Sequence, residues 1–106
     1  MGVRENKVEK YLHDQVKQLG GFTYKWVSPG RSGVPDRIVI IQGIVCFVEV
    51  KTMDGVLSKA QEREIERLKE YGAQGFTAFG KPGVDEFIKV LKEAIDDVAS
   101  NGNTGG

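Results

Sequence analysis

Apolar positions change period several times along this chain, and each change marks an element. Val8, Leu12, Val16 and Leu19 recur at helical spacing, so residues 4–19 read as a helix with one apolar face. Gly20 and Gly21 stop it. Residues 22–27 alternate aromatic and β-branched side chains, which predicts a strand with Phe22, Tyr24 and Trp26 on one face. Core packing is the plain role for these aromatics; exposed, they would instead stack on bases. Residues 28–33, Ser-Pro-Gly-Arg-Ser-Gly, form a loop. Two strand-like runs follow, 36–41 and 44–51, around a Gln42-Gly43 turn. Ser58 and Gln61 match a capping box that opens a helix to about Tyr71, with Ile65 and Leu68 inside and Gly72 as the stop. Residues 75–79 form a short buried strand. Val84, Phe87, Ile88, Leu91, Ile95 and Val98 give a last helix, 84–98, its apolar face. Residues 100–106 are polar and small, as expected of a frayed tail.

The order is α-β-β-β-α-β-α. It predicts an α/β fold with a mixed sheet and helices on both faces. The strand–helix–strand step near the end implies a right-handed parallel crossover. One domain, 1–99, accounts for the pattern.

Composition narrows the function only a little. A chain of 106 residues that is 40% hydrophobic suits one small core. The single Cys46 lies in an apolar strand and reads as a buried thiol in a reducing compartment, hence a cytoplasmic location. No run approaches the ~20 apolar residues of a membrane span. His13 stands alone and cannot build a zinc cluster. The formal net charge of zero argues against a nucleic-acid protein, but its distribution does not. Residues 1–51 carry 8 Lys/Arg against 5 Asp/Glu; residues 52–106 carry 7 against 10.

The chemistry concentrates in residues 33–51. Glu49 interrupts an apolar strand, and an unpaired buried carboxylate is costly. If Gln42-Gly43 is a two-residue turn, Ile41 faces Ile44 and Asp36 falls opposite Glu49, with Cβ atoms about 5 Å apart. A one-residue slip would part them. Paired this way, the acids form an oxygen site suited to Mg²⁺ or Mn²⁺. Lys51 shares the Glu49 face. Glu5 lies on the apolar side of the first helix, with Glu9 about 40° away. It is either a first-turn residue favouring the helix dipole or a third carboxylate aimed at the metal. Arg31, with Lys25 and Arg37, is placed to grip phosphate.

These residues resemble the PD-(D/E)xK nuclease signature: Pro35-Asp36, then thirteen positions to Glu49, then Val50 and Lys51. With Arg4-Glu5, Gly20-Gly21, Lys25, Ser28 to Arg31, Gly33 to Arg37, Phe47 to Lys51, Leu57-Ser58 and Gln61, the ordered set is similar to the VRR-NUC family, the virus-type replication-repair nucleases. The similarity spans about Arg4 to Phe79. It implies a restriction-endonuclease-like core and a metal-dependent DNA endonuclease leaving 5′-phosphate and 3′-hydroxyl ends. Asp36, Glu49, the Val50 carbonyl and Glu5 (Glu9 as the fallback) are the implied metal ligands. Lys51 and Gln61 join Asp36, Glu49 and Glu5 in catalysis, and the resemblance strengthens Lys25 and Arg31 as DNA contacts. The ion would polarise a phosphoryl oxygen and acidify a bound water. Lys51, as an ammonium, suits charge stabilisation and water positioning. Branched DNA and a homodimer are implied partners, as is a viral or prophage origin. The main rival is a catalytically silent nucleic-acid-binding or assembly module; a different metal-dependent hydrolase and a sequence-specific restriction enzyme are the others.

Overall fold

A computed structural model describes residues 3–104. The elements are α1 (Val3–Gln18), β1 (Phe22–Lys25), β2 (Arg37–Ile41), β3 (Ile44–Lys51), α2 (Lys59–Glu70), β4 (Gln74–Phe79) and α3 (Gly80–Thr104). The expected order holds. The sheet runs β1-β2-β3-β4, antiparallel except for the parallel β3–β4 pair. This is the mixed, helix-flanked sheet of a restriction-endonuclease-like fold.

The hairpin register is fixed by its turn. Gln42 (φ 47°) and Gly43 (φ 82°) are both left-handed, the backbone of a type I′ two-residue loop. Glycine meets that demand freely, whereas Gln42 is a non-glycine residue on the strained side of the map. Ile41 pairs with Ile44 and Arg37 with Val48, so the ladder runs toward Asp36 opposite Glu49.

One sheet face is the core. Val39, Ile41, Cys46, Val48, Val50 and Ala78 are buried beneath Val8, Leu12 and Val16 of α1 and Phe87, Ile88 and Leu91 of α3. Burial pushes the Cys46 thiol up to about 11, as befits a core thiol. The other face is covered only in part. α2 packs on β4, where a Cβ on Gly75 would meet the Ile65 Cγ2 at 3.4 Å. No helix of the described residues reaches the β1 side of that face. Phe22 and Tyr24 are therefore 43% and 54% exposed, which corrects the reading of these aromatics as core. Trp26 packs on Phe47 with ring centroids 5.1 Å apart.

α3 is longer than the pattern implied. It starts at Gly80, with Pro82 tolerated in the first turn, where its missing N–H costs no helix bond. It continues to Thr104, into the segment read as a tail. Among the described residues, no helix is long and apolar enough to cross a membrane.

Candidate active site

The parallel strand β3 brings Glu49 and Lys51 to the face on which α2 begins, and the hairpin register brings Asp36 beside them. Asp36 Oδ2 accepts a hydrogen bond from the Val50 N–H at 2.8 Å. Glu49 is only 2% exposed. Its Oε2 accepts from the Gln61 Nε2 at 3.0 Å and lies 3.8 Å from the Lys51 Nζ. Its Oε1 is buried with no hydrogen-bond partner. Burial, then the charge of Asp36, pushes the Glu49 carboxyl up to about 8; the Lys51 charge opposes this and Glu5 adds to it. Asp36 is also raised, by burial first, with the Val50 N–H pulling the other way. Two buried carboxyls beside one lysine thus both resist ionisation.

Gln61 holds two positions at once. Its Oε1 accepts from the Ser58 N–H at 2.9 Å, and its own N–H donates to the Ser58 Oγ at 3.1 Å, closing the capping box. That leaves the Nε2 free to reach Glu49. The cap therefore aims the amide. The loop before Asp36 is pressed against the same helix end. Gly33 has φ 84°, and a Cβ there would lie 2.5 Å from the Ala60 carbonyl oxygen.

The two first-helix acids part ways. Glu9 is 3% exposed and accepts from the Lys25 Nζ at 3.0 and 3.1 Å and from the Arg37 Nε at 2.9 Å. Glu5 is half-buried, and its charge acts on Glu49. The three cations expected on DNA are thus engaged within the fold. Lys25 and Arg37 clamp Glu9, and the Arg31 Nε donates to the Glu64 carboxylate of α2. Glu9 as a clamp and Glu64 as a loop anchor were missed in the sequence. The signal for Glu64 was there: it sits one turn after Gln61, on the same inner stripe. His13 meets the Thr23 Oγ1 through Nδ1 at 2.6 Å and lies edge-on to Phe22. Burial, then the charges of Arg37 and Lys17, lowers its pKa.

No family model matches the chain. A protein of Acyrthosiphon pisum secondary endosymbiont phage 1 named "Putative nuclease p44" is 45% identical over 73 residues, 68% of this chain and 78% of that protein. A solved structure described as "VRR_NUC domain" superposes with a TM-score of 0.77 at 37% identity, over 83% of this chain and 97% of that one. The chain belongs to the VRR-NUC family. A second solved structure, "VRR_NUC domain protein", shares the fold at a TM-score of 0.68 and 20% identity, covering 91% of each chain.

VRR-NUC membership relates the chain to metal-dependent nucleases. Among the described residues, no group of three or more His, Cys, Asp or Glu gathers in one place to hold an ion. Asp36 and Glu49 offer two carboxylates, and the Val50 carbonyl lies on the strand between Glu49 and Lys51. The donors are all hard oxygens, which fit Mg²⁺ or Mn²⁺ rather than zinc. The orphaned buried Glu49 Oε1 is the acceptor such an ion would satisfy.

Proposed function

We propose that this chain is a Mg²⁺- or Mn²⁺-dependent deoxyribonuclease that hydrolyses phosphodiester bonds in branched DNA: junctions, flaps or single-strand/duplex borders. The observation that carries the reading is the buried Glu49 carboxylate, unpartnered at Oε1 and set beside Asp36 and Lys51. In this reading Asp36, Glu49 and the Val50 carbonyl hold the ion, and Glu5, whose charge acts on Glu49, is linked to it through water. When bound, the ion supplies Lewis-acid polarisation of the phosphoryl oxygen. Lys51, 3.8 Å from Glu49 Oε2, offsets the charge that grows on the phosphate in the transition state. Gln61 holds Glu49 in one orientation through Oε2, so the remaining oxygen points to the ion site. Glu9 holds Lys25 and Arg37 within the fold, and the charges of Glu9 and Lys25 act on Asp36.

The proposal includes a homodimer in the host cell cytoplasm. Phe22, Tyr24, Ile40 and Val45 leave apolar surface exposed on the uncovered part of the sheet, which supports a face covered by a second copy. Sedimentation velocity on wild type and Tyr24→Glu tests this: a dimer that Tyr24→Glu breaks is expected, and a wild-type monomer at all concentrations rejects it. The activity is tested with labelled single-stranded, duplex, flap and four-way-junction DNA of shared sequence, in Mg²⁺, Mn²⁺ or chelator. Metal-dependent cutting that favours a branched shape is expected. Equal cutting of every shape rejects structure selectivity, and no cutting of any shape rejects the nuclease.

A further inference from the structure

Two open grooves flank the first turns of α1, and they differ in charge. One is lined by Asn6, Glu9, Lys10, His13, Asp14, Lys25 and Arg37. Its cations are spent internally: Lys25 and Arg37 on Glu9, and Lys10 on Asp14 at 2.8 Å. The other groove, of ≈ 300 Å³, is lined by Arg4, Lys7, Val8, Thr52, Met53, Gly80, Lys81 and Pro82. It contains three cations and no carboxylate. Among the described residues, Lys7 and Lys81 have no acidic partner within ion-pair distance. Arg4 has only the exposed Asp54, at 3.6 Å, a solvent-screened pair of little strength.

The position of this groove matters as much as its charge. Thr52 and Met53 directly follow Lys51, and Arg4 directly precedes Glu5, so the groove opens within a residue or two of the candidate site at both of its walls. Met53 is 63% exposed, and its Sδ lies 2.6 Å from where a Gly80 Cβ would be, so it forms an apolar floor. Lys81 sits in the first turn of α3, where a cation opposes the helix dipole and gains the helix nothing. Its Nζ lies 5.3 Å from the Tyr11 ring centroid, and Tyr11 is tied to Asp85 through its hydroxyl at 2.6 Å. Asp54 pairs with Arg4 and Asp85 with Tyr11, and neither lines the groove.

We propose that this groove carries the backbone of the nucleic-acid strand on the Lys51 side of the cut, with Lys7 and Lys81 as phosphate contacts and Arg4 as a third. The inference rests on the nuclease reading. It assigns strand binding to Lys7 and Lys81, which the family resemblance did not single out, and to Arg4, in place of the engaged Lys25, Arg31 and Arg37.

The test is the salt dependence of binding to a labelled single-stranded oligonucleotide, with Ca²⁺ replacing Mg²⁺. Each lost phosphate contact lowers the slope of log affinity against log salt by about 0.7 on a single strand. Lys7→Ala/Lys81→Ala therefore reduces the slope by about 1.4 and the affinity by about 25-fold at ~0.1 M salt. Lys89→Ala/Lys92→Ala, the same charge change further along α3, is the control and keeps the wild-type slope. All four side chains are exposed, so melting curves should coincide. A Lys7/Lys81 variant that matches the control overturns the groove while leaving the nuclease standing. A wild type that neither binds nor cuts nucleic acid overturns both.

Discussion

Glu49→Gln is expected to stabilise the metal-free protein at alkaline pH while ending cleavage. The wild-type carboxyl titrates at about 8 in the folded chain, against an ordinary value of 4.5. Between those values the folded chain holds a proton that the unfolded chain has released. Stability is therefore full at low pH and is lost as pH rises through this window. At ~1.36 kcal/mol per pH unit the cost by about pH 8 slightly exceeds ~4 kcal/mol if the site stays dry, and is about half that if water enters. Asp36, raised in the same direction, adds to the slope. Glutamine is neutral throughout and still accepts the Gln61 hydrogen bond. For a domain this small, ~2 kcal/mol is about 8–16 °C in Tm. The assay is thermal unfolding in chelator at about pH 5 and about pH 8.5. The wild type should lose roughly 10 °C between them and the variant far less. Saturating Mg²⁺ should restore the wild type at high pH and leave the variant unmoved. Parallel pH curves for the two proteins would refute the reasoning, because the buried charge would then have no linked cost.

Three further outcomes follow from the geometry. Gln61→Ala removes one arm of the capping box and the donor to Glu49, so a stability loss of about 1 kcal/mol should accompany slower cleavage, read by denaturant unfolding and single-turnover kinetics. Glu9→Ala leaves Lys25 and Arg37 facing each other without their shared carboxylate; both are partly exposed, so the cost should be about 1–2 kcal/mol in urea, and Lys25→Ala should rescue part of it. Gly33→Ala puts a Cβ into the Ala60 backbone at a positive φ, which should cost more than ~2 kcal/mol and lower cutting, whereas Gly30→Ala, with open space around it, should not.

The strand of the candidate site was legible because it breaks its own pattern. Glu49 in an apolar run gave the face; the register followed only if Gln42-Gly43 made a two-residue turn, and the structure has that turn with Ile41 paired to Ile44. Gln61 was legible as a cap and, through the resemblance, as a site residue; the structure closes the cap and adds a bond to Glu49 that the sequence did not name. The cations were not legible. A lysine or arginine near a site looks the same in sequence whether it faces solvent or a buried acid. Only the fold shows Glu9 between Lys25 and Arg37, and Arg31 against Glu64. The aromatics of β1 misled for a related reason. Alternation gives the two faces of a strand, but which face is covered depends on where α2 lands, and it lands over β4.

The most direct test of the central claim is metal-dependent DNA cleavage by wild type, Asp36→Ala and Lys51→Ala, each checked for folding and for binding to the same DNA. The account predicts cutting by the wild type in Mg²⁺ or Mn²⁺ that chelator stops, with both variants folded, DNA-bound and inactive. Cutting that persists in both variants would contradict the site, and a folded, DNA-bound wild type that never cuts would contradict the function.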